Sequence, residues 1–179
     1  MSLRKKVTAA RGNSSALSLN TPGPHEASKL VGLGFRCWLA GYETHDINCW
    51  ETGWNVYARE LGAAKAKAAI GELSCWVRAI HTSTCRRIET YPFGCAGFCQ
   101  DECMAISMIA ASQHSACPAM RACAFTLLGT SEIDGVVDAA TSFGDILLDA
   151  GHRLSDSAIC NVTAASEINA PASDKIIKH

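Results

Sequence analysis

Apolar side chains return every three or four residues along most of this chain, and that spacing admits helices and little else. Ile47, Trp50, Trp54, Tyr57 and Leu61 step by 3, 4, 3 and 4. Ala66, Ile70, Leu73, Val77, Ile80 and Thr84 continue the pattern beyond Gly62. At about 100° per residue such positions fall on one stripe of a helix, whereas a half-buried strand alternates in steps of two. No sustained alternation flanked by hairpin turns is present. The spacing therefore predicts an all-α fold.

Punctuation divides the pattern into about six helices. The first is expected from about Glu26 to Ala40, with Leu30, Leu33, Cys37 and Ala40 on one stripe. Gly32 and Gly34 weaken it, each by about 1 kcal/mol against alanine. The second runs over Ile47–Leu61, capped by Asp46 or Thr44 and ended by Gly62. The third spans about Ala63 to Thr84. Tyr91-Pro92-Phe93-Gly94 then breaks the chain. A fourth helix, about Ala96 to Ser115, is small or apolar on nearly every side, which suits the middle of a bundle. Pro118 opens a fifth that ends at Gly129. Ser131-x-x-Asp134 matches a capping box for a sixth, which stops at Gly151.

Short connections favour antiparallel neighbours. The expected architecture is an antiparallel helical bundle of about six helices around a central apolar one. It occupies residues 26–154, between a basic, polar arm (1–25) and a polar tail (155–179). Trp38, Trp50, Trp54 and Trp76 fall on apolar faces and are expected in the core.

Composition excludes several functions. The formal charge of −1 over 179 residues provides no basic field for nucleic acid or an anionic membrane. No apolar run approaches the roughly 18 residues of a membrane span. There is no P-loop and no dinucleotide fingerprint. Six cations and two acids in residues 59–87 are followed by an acidic stretch over 101–156, and the two blocks are expected to face each other or water.

The ten cysteines carry the functional signal. No apolar signal segment follows the basic start, so the chain is assigned to the reducing cytoplasm, where cysteines serve as metal ligands, reactive thiols or small core residues rather than disulfides. The absence of any C-x-x-C removes the common zinc-finger, thioredoxin and ferredoxin patterns. Cys95, Cys99 and Cys103 recur at i, i+4 and i+8. On one helix they would form a row of thiols, the donor set that selects Cu(I), Zn(II) or an Fe–S cluster. Cys117, Cys123 and His114 are candidates to complete such a site. Asp101 and Glu102 lie inside the row, and a buried carboxylate there needs a cation, with Arg36, Arg78 and Arg121 as candidates.

With its C-x-x-x-C pairs and His114, the segment from Cys95 to Cys123 resembles the cysteine-rich four-helix-bundle copper storage proteins. That resemblance implies Cu(I) held by bundle thiolates. The other helices depart from it, carrying single scattered cysteines.

Two further constellations stand beside the row. Cys117 ahead of Pro118 would sit at a helix N-cap, where the dipole favours a thiolate, with His114 as base or co-ligand. His81 and Cys85, four apart, match a two-ligand spacing but lie where a helix ends. The leading expectation is a small protein that binds a soft metal ion or Fe–S cluster through thiolates. The alternatives are a non-catalytic helical adaptor with cysteines in its core, whose partner is another protein or a second copy of the chain, and a thiol redox enzyme using Cys117.

Overall fold

The computed structural model describes residues 23–160. These form six α-helices and no strand: α1 (Pro24–Thr44), α2 (Ile47–Leu61), α3 (Ala63–Ser83), α4 (Gln100–Gln113), α5 (Cys117–Leu128) and α6 (Asp134–Asp149), followed by a 3-10 turn at Asp156–Ala158. The fold is all-α, with the helices packed as a bundle.

Local chemistry explains most boundaries. Asp46 caps α2 by accepting the Asn48 N–H at 2.9 Å. Gly62, at φ +76°, lets α3 follow α2 after a single residue. α1 is longer than expected, and the glycines inside it are contact points. A methyl group at Gly32 would meet the Phe98 ring, and one at Gly34 would meet the Tyr57 ring and hydroxyl. Close packing there outweighs the propensity cost of glycine.

α4 packs against α1, α5, α6 and the 3-10 turn. Met104, Ala105, Ile106, Met108, Ile109, Ala110 and Ala111 are all buried, as expected for a central helix. The other large core side chains include Phe35, Trp76 and Phe143, whose rings follow one another at 5.6 and 5.5 Å. Gln113, at the end of α4, is buried and fully engaged. Its amide donates to Gly144 O and His152 O, and its Oε1 accepts the Leu154 N–H at 2.8 Å. That clamp fixes the chain after α6 onto α4.

Several expectations are corrected. The fourth helix begins at Gln100 rather than Ala96, because the 16 residues between Ser83 and Gln100 form an irregular strap. α5 begins at Cys117 with Ala116 as its cap, so Cys117 is the first helical residue and not the N-cap. The Ser131-x-x-Asp134 box is not formed; α6 starts at Asp134 behind Ile133, without a side-chain cap. Trp54 is exposed rather than a core anchor, and Trp50 is half-buried. In the expected tail, Asp156–Ala158 form the 3-10 turn, which packs on α4. The rest of the expected arm and tail, residues 1–22 and 161–179, lies outside the described residues.

Candidate functional site

An irregular segment of 16 residues is long for a compact helical domain, and loops of that length are usually functional. Here the strap, residues 84–99, is fastened throughout. At its start the Cys85 N–H donates to Leu128 O at 2.9 Å. Arg86 forms a two-pronged bond to Asp101, with Nη1–Oδ2 at 2.9 Å and Nη2–Oδ1 at 2.6 Å. Asp101 also accepts the Glu89 N–H at 2.8 Å. In the middle, Arg36 of α1 donates to Pro92 O, Cys95 O and Gly97 O. Its Nε meets Glu102 Oε1 at 2.6 Å, and its guanidinium lies over the Phe98 ring. Glu102 in turn accepts the Cys99 N–H at 2.8 Å and closes the start of α4.

Arg36 and Glu102 are both buried. The Arg36 pKa is raised because the hydrogen bond and charge of Glu102 outweigh the burial that opposes it. A buried ion pair seldom stabilises a fold more than apolar packing of equal volume would. What this one does is hold three consecutive stretches of irregular backbone against α1.

The strap forms one wall of a groove of about 380 Å³. Arg36, Cys37 and Ala40 of α1, Asn48, Cys49 and Thr52 of α2, and Thr90–Phe93 of the strap line it. Cys37 packs its Cβ toward Gly53, one turn beyond Cys49, so the two thiols belong to facing sides of the α1–α2 hairpin. Burial, with the neighbouring Cys49, pushes the Cys37 thiol up to about 11. Tyr91 and Phe93 stand out at the rim, 46% and 59% exposed. Of these, the sequence marks only Arg36, as a cation for a buried carboxylate. The signal for the others is the Tyr91-Pro92-Phe93-Gly94 break itself, which places two aromatics in irregular backbone.

The expected thiol row is not formed as a helical stripe. Cys95 lies exposed in the strap. Cys99 is the cap residue of α4, and its thiol donates to Glu89 O at 3.0 Å. Cys103 is on α4 itself, with its sulfur 3.9 Å from Phe98 O. Cys123 is buried and donates to Ser107 Oγ at 3.3 Å. Cys117 is exposed at the start of α5. The His114 ring is engaged elsewhere, its Nε2 donating to Leu154 O at 2.9 Å. Among the described residues, no three His, Cys, Asp or Glu side chains are grouped so as to hold a metal ion.

The expectation that Asp101 or Glu102 needs a cation is met twice. Arg36 was a candidate; Arg86 was not, and Arg121 instead pairs at the surface with Asp134. His81 stacks on Tyr42 at 5.8 Å in the last turn of α3, while Cys85 lies beyond the helix.

No protein-family model, no curated protein and no solved structure matches this chain. No helix among the described residues is long and apolar enough to cross a membrane.

Proposed function

We propose that this chain is a non-catalytic binding protein whose helical bundle presents the strap as a recognition surface for another protein. The observation that carries this is the buried Arg36, which holds Pro92, Cys95 and Gly97 by their carbonyls while Tyr91 and Phe93 face outward beside a groove. Rigid backbone behind exposed aromatics is the arrangement in which a few anchors carry most of the binding energy. The groove is small for a ligand site, near the lower end of the roughly 300–1,000 Å³ range. Phe93 at its rim is largely exposed, as an anchor for a partner's side chain would be. The cytoplasm suits such a protein, since its ten free thiols persist most readily under reducing conditions.

A photo-crosslinking residue in place of Phe93, in cells of the source organism, tests the reading. A discrete adduct is expected at position 93, lost when Tyr91→Ala is added, and absent when the same residue replaces Phe125. Identical adducts at 93 and 125, or none at 93, would sink it.

A second reading, capture of a soft metal ion or Fe–S cluster by thiolates, is supported by a different observation. Only Cys37 and Cys123 of the ten cysteines are buried, so core packing does not explain the other eight. Thiolates would favour Cu(I), Zn(II) or a cluster. Elemental analysis of protein purified under reducing conditions is the test, and a metal-free preparation counts against it.

A further inference from the structure

Three cysteines from three separate segments converge on one serine. Ser107 sits in the buried middle of α4. Its Oγ accepts the Cys160 N–H at 2.8 Å and the Cys123 thiol at 3.3 Å. Cys103 lies one turn before Ser107 on the same helix, and side chains four apart on a helix stand about 5–6 Å from each other. Electrostatics agree with this placement: after burial, Cys160 contributes most to raising the Cys103 pKa, ahead of Cys99 and Glu102, and it also raises that of Cys123.

The three thiols differ in access. Cys160 is exposed, Cys103 is half-buried, and Cys123 is fully enclosed and already donating to Ser107. The backbone of Cys160 is pinned by its own N–H, and the 3-10 turn just before it packs on α4. One thiol is thus held at the surface, and a second, less accessible to solutes, lies one helical turn from the serine that pins it. This is the division of labour of an attacking and a resolving cysteine.

We infer that Cys160 and Cys103 form a redox-active dithiol that reduces small-molecule disulfides, with Cys160 attacking and Cys103 resolving. In the first step the Cys160 thiolate attacks one sulfur of a disulfide RSSR. The protein–SR mixed disulfide forms, and RS⁻ leaves and takes up a proton. In the second step the Cys103 thiolate attacks the Cys160 sulfur. A Cys103–Cys160 disulfide forms and the second RS⁻ leaves. The dithiol loses two electrons, the small disulfide gains them, and two RSH are released. The product ties the segment after α6 covalently to α4. This inference needs neither a partner on the strap nor a metal, and rests on neither reading above.

Reduced full-length protein treated with glutathione disulfide, quenched in acid and mapped by peptide mass spectrometry tests it. In wild type the first crosslink expected is Cys103–Cys160, ahead of any other pair. In Cys103→Ser, glutathione is expected to accumulate on Cys160. In Cys160→Ser, Cys103 is expected to remain reduced over the time in which wild type crosslinks. Cys160 is exposed, so its variant is expected to fold, and circular dichroism checks that. Three outcomes overturn the inference: persistent glutathione on Cys160 in wild type, a first crosslink through Cys99 or Cys123, or Cys103 oxidised as fast in Cys160→Ser as in wild type.

Discussion

Arg36 of α1 and Glu102 of α4, 66 residues apart, meet in the interior at 2.6 Å with both side chains almost wholly buried. Removing one member of such a pair leaves the other charged and without its partner. Glu102→Leu is therefore expected to lose about 3–5 kcal/mol of stability. Replacing both, as Arg36→Met with Glu102→Leu, should cost less than the two single changes summed. Urea unfolding of the four proteins measures this, and additive losses would show that the pair does not act as a unit.

His152 gives the fold an acid limit. The ring is buried, and burial holds its pKa below the usual 6.5 against the opposing effect of the Ala150 backbone. As pH falls through that value, the unfolded chain takes up the proton and the folded chain resists it. Stability from the neutral ring is thus fully present above pH 6.5 and declines as pH falls toward the lowered folded value. His152→Gln should flatten the stability curve in the window just below about pH 6.5. An unchanged slope in thermal melts across that window would assign the acid limit to other groups.

Ala110 is fully buried on the central helix, while Lys67 is exposed on α3. Ala110→Asp introduces both volume and an unpaired carboxylate, and a loss on the order of 3–5 kcal/mol is expected. Lys67→Asp should stay within about 0.5 kcal/mol. Equal urea midpoints for the two variants would contradict the burial of α4.

Gly34→Ala separates packing from propensity. In an isolated helix alanine would gain about 1 kcal/mol. Here the methyl meets the Tyr57 ring and hydroxyl, and that hydroxyl donates to Leu30 O at 3.2 Å. Overpacking costs about 1–3 kcal/mol, so a net loss is expected. A raised melting temperature would mean that Tyr57 moves aside freely.

Thiol labelling should follow access. In a short iodoacetamide pulse near neutral pH, Cys95 and Cys117 are expected to label early, and Cys37 and Cys123 last. Burial, which raises the pKa of both late thiols, acts in the same direction as access. Cys123 reacting as fast as Cys117 would place α5 away from α4.

The helices were legible because their stripes and stops are local. Asp46, Gly62 and Gly129 each ended or began an element where the chain itself required it. The strap is not legible in the sequence, because residues 96–99 are locally as compatible with a helix as with a loop. What pulls them out is the set of carbonyl bonds to Arg36, from a helix far away in sequence. The same event dispersed the thiol row, since the i, i+4, i+8 argument needs all three cysteines on one helix. The neighbourhood of Cys103 and Cys160 was hidden for a related reason: Gln113 and Ser107 fix the backbone at Leu154 and Cys160, and neither carries a signal at short range.

Asp101 and Glu102 are adjacent in sequence yet hold different arginines, Arg86 at the start of the strap and Arg36 behind its middle. If the first turn of α4 frays, both bonds go with it, and so does the Glu89 N–H bond to Asp101. The strap is thus coupled to that turn at two points. The Glu89 and Cys99 amides, bonded to these two carboxylates, should exchange with solvent deuterium at a free energy shared with the start of α4 rather than as parts of a fraying surface loop.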